Sequence, residues 1–371
     1  MAHQHRADGV GSYGRVFVVT GMQYGSEGKG AITEYLSPIV GMGVRSGAAN
    51  AGHTIYYNGK RFVMRQIPSV WMNQSAKLVI GVGSLISLDI LLEEIELLSK
   101  FANIRDRLFI DGNAHVITDE QIASEKETDL ALRIGSTSAS ASEGIGIAMA
   151  DKVLRKASCV QAKDEPRLRS YIADTVDLIN TELDRDQFVL VEGTQGLGLS
   201  IEHGHFPYTT SRDTSATAIA ASVGIATHLF EVDVIGVTRS YPIRVAGNSG
   251  PFGADSKEIT WKKVAKRAGT KKFICEHTTV TGNVRRVATF SWEDFLKACK
   301  VNRPTEIALT FADYLDWRCH EKYDISRSNN ILKFVGDLEE RSGVPVTLIK
   351  TGPTTTIDCD GYRAGIIRKI G

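Results

Sequence analysis

A strand, a glycine-rich loop and a helix follow one another directly near the start of the chain. Arg15–Thr20 (RVFVVT) is a short run of apolar and β-branched residues, which predicts a buried strand. The loop Gly21–Gly30 (GMQYGSEGKG) follows it, and the next segment (AITEYLS) has a helical pattern. Because small residues let backbone N–H groups converge on an anion and Lys29 adds a positive charge, this order predicts a phosphate site. The loop lacks the first glycine of a Walker motif, where Gln23 stands, and its final Ser/Thr, so a simple strand-to-helix turn is the alternative.

Strands and helices alternate along the rest of the chain. Further strands are predicted at Arg61–Ile67, Lys77–Val82, Leu108–Asp111, Phe188–Val191, Val232–Val237, Glu306–Thr310 and Val346–Ile349, and the clearest helices at Leu88–Phe101 and Ile331–Arg341. This alternation predicts an α/β fold in which helices flank a central, mostly parallel sheet. In such sheets, ligands bind beyond the carboxyl ends of the strands. We expect a flexible N-terminal extension at residues 1–14 and a single large domain at residues 15–371.

Charge and cysteine usage argue against several other classes of protein. Lys and Arg number 44 against 43 Asp and Glu among 371 residues, a net charge of +1, so neutralisation of nucleic-acid phosphates is not expected. The five cysteines contain no CxxC pair, which argues against a zinc site or disulfide framework and favours a reducing cytoplasm. No apolar run reaches the ~20 residues that span a bilayer. We therefore expect a cytoplasmic protein without nucleic-acid or membrane partners.

Two further loops carry polar groups that suit a nucleotide. In Asn50–Thr54 (NAGHT), His53 can give a proton to a phosphate oxygen near neutral pH, although a histidine hydrogen-bonded to backbone fits the same pattern. In Glu192–Gly196 (EGTQG), which follows a predicted strand, Gln195 offers an amide donor and acceptor that match a purine edge. A surface turn is the alternative for this loop.

Two loops in the C-terminal half carry charged residues. Thr278–Arg286 contains adjacent arginines that can clamp a dicarboxylate through bidentate hydrogen bonds, or that simply form a solvated surface. Thr310–Asp316 (TFADYLD) ends a predicted strand and places Asp313 where it can face a ligand. A helix N-cap is an equally good interpretation of Asp313.

These loops together resemble the adenylosuccinate synthetase family. Its motifs read GxQxGDEGKG and HNAGHT, where this chain has GMQYGSEGKG and ANAGHT. The resemblance continues through Asp151–Lys156 (DKVLRK), Glu192–Ser211 (EGTQGLGLSIEHGHFPYTTS) and Thr351–Pro353 (TGP), so it runs from Val16 to the C-terminus. It implies a ligase that couples a purine 6-oxo nucleotide to aspartate. A nucleoside triphosphate first phosphorylates O6, and the aspartate amine then displaces that phosphate.

The resemblance also assigns roles to individual residues. It implies catalytic roles for Ser26, Lys29 and His53, and a Mg²⁺ ion held by Ser26 and Gly52. It implies donor-nucleotide and phosphate contacts for Gly25, Ser26, Glu27, Gly28, Lys29, Gly30, Gly52, His53, Thr54, Asp313, Thr351, Gly352 and Pro353. It implies purine-nucleotide contacts for Ser26, Asn50, Ala51, Thr137, Gln195 and Thr210, with Arg155 supplied by the second subunit of a homodimer. It implies aspartate contacts for Val280, Thr281, Gly282 and Arg285.

Ser26 departs from the family pattern, which has the aspartate of GDEGKG at this position. In ordinary members that carboxylate lies beside N1 of inosine monophosphate, where it accepts a proton and contacts the metal. A carboxylate would crowd a group on C2, whereas a serine can accept a hydrogen bond from an exocyclic amine. The substitution points to a guanine base, as in the family's viral aminoadenylosuccinate synthetase branch, which uses deoxyguanylate. It also removes the obvious general base, so a catalytically silent protein is the other interpretation.

Two more departures concern the other substrates. The family's TTGRRRR reads VTGNVRR here, with Asn283 and Val284 in place of two arginines and Arg285 retained to hold a carboxylate of aspartate. The lost arginine lies near the ribose in the family, so its absence is compatible with a deoxyribose. The family's guanine-reading TKxD reads TFAD, in which Phe311 replaces the lysine and Asp313 persists. ATP or dATP therefore becomes the expected phosphate donor.

The sequence thus predicts a ligase that joins L-aspartate to C6 of dGMP through a 6-phosphoryl intermediate, with hydrolysis of ATP or dATP. The product is 2-amino-2′-deoxyadenylosuccinate, a precursor of 2-aminoadenine DNA. We expect a Mg²⁺-dependent homodimer located in the cytoplasm, or in the host cytoplasm if the protein is viral. An ordinary adenylosuccinate synthetase that uses IMP and GTP, and a silent purine-nucleotide-binding protein, are the alternatives.

Overall fold

Strand β1 (Arg15–Gly21) lies at the centre of the fold and is buried along its whole length. Its side chains alternate between two apolar clusters, because successive residues of a strand point to opposite faces of the sheet. Phe17 and Val19 belong to one cluster, and Val16 and Val18 belong to the other. Burial on both faces is typical of a strand inside a parallel sheet.

The computed structural model describes residues 14–128, 143–278 and 282–359. After β1, the strands in chain order are β2 (Met42–Arg45), β3 (His53–Tyr57), β4 (Lys60–Met64), β5 (Lys77–Ile80), β6 (Leu85–Ile86), β7 (Leu108–Asp111), β8 (His115–Val116), β9 (Val160–Gln161), β10 (Ile172–Ala173), β11 (Val189–Gly196), β12 (Glu231–Arg239), β13 (Ile243–Arg244), β14 (Glu258–Ile259), β15 (Arg286–Ala288), β16 (Glu306–Thr310), β17 (Val346–Lys350) and β18 (Thr356–Asp358). The main sheet has the spatial order β10–β7–β5–β2–β11–β1–β12–β16–β17–β18. Its neighbours pair in parallel except β17 and β18, which confirms the predicted α/β class and mostly parallel central sheet.

Helices cover both faces of this sheet. The α-helices are Lys29–Leu36, Leu88–Leu98, Asp119–Glu127, Ile145–Leu154, Thr175–Asp184, Ala216–Ala221, Trp261–Arg267, Trp292–Asn302 and Asn329–Ser342. Ile32 and Leu91 pack in the cluster of Phe17, whereas Ile179 and Ile219 pack in the opposite cluster. Within the described ranges, no helix is both long enough and apolar enough to cross a bilayer.

One segment predicted as a loop is part of a strand. Glu192–Gly196 forms the second half of β11, so the prediction of a loop or surface turn there is wrong. Glu192 pairs with Val19, and after an irregularity in the register Gly196 pairs with Gly21. Polar residues are tolerated in this buried position because the Glu192 carboxylate is hydrogen-bonded by other buried groups, which the sequence pattern does not reveal.

Parallel pairing brings the carboxyl ends of the central strands to one edge of the sheet. The loops that follow β1, β2, β16 and β17 meet at this edge, together with the last residues of β11. This is where ligands bind in open α/β sheets. The topology therefore places the motif-bearing segments next to one another although they are distant in the sequence.

Candidate active site

A cavity of about 910 Å³ lies at the carboxyl edge of the main sheet. Its volume falls within the range of roughly 300–1,000 Å³ that is usual for small-molecule sites. The predicted site residues that line it are Gly25, Ser26, Glu27, Gly28, Lys29, Gly30, Asn50, Ala51, Gly52, His53, Thr54, Gln195, Thr210, Arg285, Asp313, Gly352 and Pro353. In one cavity, the fold thus brings together the segments assigned from the sequence to the donor nucleotide, the purine nucleotide and aspartate.

Three other predicted site residues, Thr351, Arg155 and Gly282, do not line this cavity. Thr351 is fully buried, and its Oγ1 donates a hydrogen bond to the Lys322 carbonyl at 2.8 Å, so only its neighbours reach the cavity wall. Arg155 is exposed at the end of the helix Ile145–Leu154, and Gly282 is exposed beside the arginine loop. Thr137, Val280 and Thr281 lie outside the described residues.

The glycine loop after β1 combines a left-handed backbone with an internal ion pair. Gly25, Ser26 and Gly28 have φ angles of 90°, 54° and 91°, and such a backbone is uncommon for a serine. The Glu27 carboxylate is fully buried and accepts hydrogen bonds from the Gly25 N–H and from Lys29 Nζ, each at 2.7 Å. Burial alone would raise the pKa of Glu27, but the charge and hydrogen bond of Lys29, together with hydrogen bonds from the loop backbone, lower that pKa. The carboxylate therefore shapes the loop rather than facing a phosphate.

His53 begins β3 at the end of the NAGHT motif and lies buried at the cavity wall. Its Nδ1 hydrogen-bonds to Glu192 Oε1, and its Nε2 is 3.2 Å from the Thr194 carbonyl oxygen. The backbone N–H and the hydroxyl of Ser69 donate to the two Glu192 oxygens at 2.8 and 2.6 Å. A carboxylate that holds one ring nitrogen fixes the tautomer and the orientation of the imidazole.

The charges around this pair favour an ionised Glu192. Burial and the charge of Arg45 lower the pKa of His53, and Glu192 opposes them. Burial alone would raise the pKa of Glu192, but the charge and hydrogen bond of His53, together with Arg45, hold it at about 2. An ionised carboxylate at this position stabilises the imidazole when it takes up a proton. The sequence analysis missed Glu192, whose only signal is an acidic residue directly after an apolar strand.

Amide and hydroxyl groups line another part of the wall. Ser26 is exposed to the cavity, and its carbonyl accepts a hydrogen bond from Arg239 Nη1 at 3.1 Å. Gln195 Nε2 donates to Asn50 Oδ1 at 2.9 Å. Among the described residues, the buried Gln195 Oε1 has no hydrogen-bond partner. Because buried polar atoms are normally paired, this oxygen is a candidate acceptor for a ligand donor.

Arg239 has no exposed surface and connects three parts of the cavity wall. Besides its bond to Ser26, it binds the Glu276 carboxylate through both terminal nitrogens. Its guanidinium lies 3.9 Å from the centroid of the Phe311 ring. Arg285 Nη1 is 3.4 Å from the same Glu276 carboxylate. Two arginines thus share one carboxylate, which leaves a net positive charge suited to an anionic ligand.

Asp313 lies in a short 3₁₀ turn, residues 312–314, that follows β16. The N-cap of this turn is Phe311, so the structure does not support the interpretation of Asp313 as an N-cap. Asp313 Oδ2 accepts a hydrogen bond from His320 Nδ1 at 2.7 Å, and burial raises the pKa of Asp313 to about 6. The His320 ring stacks on Trp317 with a centroid distance of 4.1 Å and an interplanar angle of 12°. The sequence analysis did not single out His320, Trp317, Arg239 or Glu276.

A protein-family model for adenylosuccinate synthetase matches residues 18–165 and 160–320 of the chain. The chain is 39% identical over 348 residues to the adenylosuccinate synthetase of Thermococcus sibiricus, with 91% of this chain and 96% of the relative covered. It is 39% identical over 344 residues to the enzyme of Methanocaldococcus jannaschii, with 91% and 94% covered.

Two solved structures share the fold. The succinoaminodeoxyadenylate synthetase PurZ of cyanophage S-2L, bound to dGMP and to dATP as an energy donor, superposes with a TM-score of 0.78 and 27% sequence identity. The similarity covers 97% of this chain and all of the cyanophage chain. The fully ligated adenylosuccinate synthetase of Plasmodium falciparum has a TM-score of 0.79 at 22% identity over 94% of this chain and 100% of its own, a likeness of fold alone.

Proposed function

Because the chain belongs to the adenylosuccinate synthetase family of C–N ligases, we propose that it joins L-aspartate to C6 of dGMP. ATP or dATP is the phosphate donor in this proposal. The product is 2-amino-2′-deoxyadenylosuccinate, with release of ADP or dADP and phosphate. The cyanophage relative, whose solved structure holds dGMP and dATP, supports this choice of substrates.

Ser26 is the observation that carries the choice of dGMP. Its small, neutral side chain is exposed in the cavity where the family has a carboxylate. The hydroxyl can accept a hydrogen bond from the 2-amino group of guanine, which hypoxanthine lacks. An aspartate at the same position would meet that amine with a bulkier, charged group. The proposal therefore assigns purine selection to one residue of the glycine loop.

The proposed reaction has two steps. The γ-phosphoryl group moves to O6 of dGMP, so that the O6–P bond forms, the bond to the β-phosphate breaks, and N1 of the base releases its proton to solvent. The aspartate amine then attacks C6, the C6–O6 bond breaks, phosphate leaves, and the amine loses a proton. Lys29 and the backbone of the glycine loop would hold the transferred phosphate. His53, oriented by Glu192, would stabilise charge on it by proton donation.

The oxygen atoms available in the cavity fit a Mg²⁺ ion. Enzymes of this family use Mg²⁺. The Ser26 hydroxyl and the Gly52 carbonyl are both at the cavity wall, and hard oxygen ligands are those that Mg²⁺ prefers. Both ligands are neutral, which suits an ion that takes its other ligands from triphosphate oxygens and water. When bound, the ion neutralises charge on the triphosphate.

The remaining contacts complete the three binding sites of the proposal. Arg285 would bind a carboxylate of aspartate through the positive charge that it shares with Arg239. Val280, Thr281 and Gly282 would complete that site. Asn50, Ala51, Thr137, Gln195 and Thr210 would contact dGMP, with Arg155 contributed by the second subunit of a homodimer. The donor would lie against Asp313, Gly352 and Pro353.

An ordinary adenylosuccinate synthetase that uses IMP and GTP is the second candidate. Two observations favour it: the 39% identity to archaeal adenylosuccinate synthetases, and the acidic Asp313 at the position of the family's guanine-reading aspartate. The candidates share their reaction type and differ in the base of both nucleotides. Substrate preference therefore separates them.

The test is phosphate release with L-aspartate and ATP across dGMP, GMP and IMP, with the product identified by mass spectrometry. We expect kcat/KM for dGMP to exceed that for IMP by about tenfold or more, which is about 1.4 kcal/mol of transition-state stabilisation. A higher kcat/KM for IMP would favour the second candidate. Nucleotide binding without phosphate release from any of the three would indicate a silent binding protein.

A further inference from the structure

One oxygen of the Asp313 carboxylate is already engaged within the protein. His320 Nδ1 donates to Asp313 Oδ2 at 2.7 Å. The other oxygen, Oδ1, is buried and has no hydrogen-bond partner among the described residues. Asp313 is 3% exposed and forms part of the cavity wall. The cavity therefore borders a carboxylate with one free oxygen instead of two.

The position of the His320 ring is fixed by a second contact. The ring stacks on Trp317 in a nearly parallel orientation, with 4.1 Å between the two ring centroids. Both side chains line the same cavity as Asp313. Stacking restricts the orientation of the imidazole, so that Nδ1 is held towards the carboxylate. The stack therefore helps to keep the hydrogen bond from His320 to Asp313 Oδ2 in place.

A carboxylate recognises guanine and adenine in different ways. Guanine presents two adjacent donors, N1–H and the 2-amino group, and a carboxylate with two free oxygens can accept both. Adenine presents one donor, the 6-amino group, beside the acceptor N1. A carboxylate with one engaged oxygen matches the single donor of adenine better than the paired donors of guanine. A guanine base would have to share Oδ2 with His320 or leave a donor unpaired, and an unpaired donor is costly when it is buried.

We infer that His320 is a specificity-determining residue, which selects an adenine over a guanine phosphate donor by engaging one oxygen of Asp313. This inference rests on the proposed function, in which the base of the donor nucleotide lies against Asp313. It assigns the choice of donor to a residue seven positions beyond the TFAD motif. In this inference Phe311 replaces the lysine of the family motif. The aspartate of the motif is retained as Asp313, and its contact with His320 changes the base that it accepts.

The test compares wild-type chain with His320→Phe, which keeps an aromatic ring for Trp317 but removes the N–H donor. Binding of the non-hydrolysable analogues AMP-PNP and GMP-PNP is measured by calorimetry with dGMP and Mg²⁺ present. The kcat/KM ratio for ATP over GTP is measured alongside. We expect wild-type chain to prefer the adenine nucleotide, and His320→Phe to shift the preference about tenfold towards guanine in both assays. His320→Ala replaces the phenylalanine variant if that protein does not fold.

Two further variants serve as controls. His320→Asn retains an N–H donor and should keep the wild-type preference. His228→Phe changes an exposed histidine that does not line the cavity and should also keep it. An unchanged ratio in His320→Phe or His320→Ala would overturn the inference and leave the proposed function intact. A wild-type preference for GTP would overturn it as well. Failure of wild-type chain to bind either analogue would overturn the proposed function, and the inference with it.

Discussion

Ser26 has a neutral side chain on a backbone whose conformation is restricted. Its φ of 54° is in the left-handed region, and Arg239 donates a hydrogen bond to its carbonyl oxygen. The side chain at this position is consequently presented to the cavity in one direction. A larger or charged side chain would meet the substrate directly, because the loop has little freedom to relieve the contact.

Ser26→Asp should shift the purine preference from dGMP towards IMP or dIMP. The bulkier aspartate crowds the 2-amino group of guanine, and overpacking of this kind costs about 1–3 kcal/mol, which corresponds to roughly 5- to 150-fold in the kcat/KM ratio. The ratio for dGMP over IMP is the measurement. Ser75→Asp, on an exposed loop, is the control and should leave the ratio unchanged. A Ser26→Asp protein with the wild-type ratio would contradict the role given to this serine.

The residues that support the cavity wall were harder to predict than those that face it. The motifs identified Lys29 and His53 because their spacing resembles that of a known family. Glu192 lies 139 residues from His53 in the sequence, and Glu276 lies 37 residues from Arg239. No local pattern links such pairs, since their contact results from the tertiary fold, which brings segments from different elements to the same wall of the cavity. The loops that line the cavity were predictable from the sequence, whereas the charged groups behind them required the fold.

The carboxylate of Glu192 should make stability depend on pH. Its pKa lies at about 2 in the folded chain against an ordinary 4.5, so its stabilising contribution is present above about pH 4.5 and is lost as the pH falls towards 2. The shift corresponds to roughly 3 kcal/mol. Urea unfolding from pH 7 to pH 2.5 should show a smaller loss of stability for Glu192→Gln than for wild-type chain. Glu96→Gln, at an exposed helical position, should follow the wild-type curve, and parallel curves for all three would refute the prediction.

At the scale of whole elements, apolar periodicity was the reliable guide. The predicted strand Arg15–Thr20 and the predicted helix Ile331–Arg341 occur within one or two residues of their predicted ends. Both segments have an uninterrupted apolar pattern, and the pattern has clear boundaries in the sequence. The strand containing Glu192–Gly196 extends further than predicted because its polar residues find buried partners, and composition alone predicts a loop there. Apolar periodicity thus detects elements that bury apolar side chains, and it misses strand residues that are stabilised by polar contacts.

Gly336, in the middle of the helix Asn329–Ser342, and Gly343, at its C-terminal end, should respond to alanine in opposite ways. Gly336 is exposed within the helix, and an added Cβ would meet no atom within 4 Å, so Gly336→Ala should raise the unfolding free energy by about 0.5–1 kcal/mol. Gly343 terminates the helix at φ 70°, with equally open space, so Gly343→Ala should lower it by about 1 kcal/mol. Urea unfolding measures both, and phosphate release should not change. Equal signs for the two variants would show that backbone conformation is not the deciding factor.

At the scale of the molecule, the position of Arg155 bears on the proposed homodimer. It ends the helix Ile145–Leu154 and does not line the cavity of its own chain. Its neighbours Val153 and Leu154 are 73% and 65% exposed. Exposed aliphatic side chains beside an exposed arginine suit a subunit interface. The proposed homodimer would bury them and carry the arginine into the partner's site.

Mixing two inactive variants tests this arrangement. One partner carries Arg155→Leu. The other carries Lys29→Met with Glu27→Gln, because loss of Lys29 alone would strand a buried carboxylate at a cost of about 3–5 kcal/mol. Random exchange should restore about a quarter of wild-type phosphate release, since half the dimers are hybrids with one intact site. Subunit exchange is verified separately by native mass spectrometry. Exchange without restored activity would show that Arg155 does not act across an interface.

Arg239 contacts the backbone of the residue proposed to select the purine, the ring that replaces the family lysine, and the carboxylate next to the arginine proposed to bind aspartate. Substitutions at positions that share such a partner are not independent in their energies. The contact with Ser26 runs through its backbone carbonyl and survives a change of that side chain, whereas Phe311 and Glu276 contact the guanidinium through their side chains. An evolutionary path between substrate sets could therefore alter position 26 by itself, but a change of Phe311 or Glu276 would leave the buried guanidinium without one of its partners. The preference for a purine could then be inherited separately from the preference for a donor nucleotide.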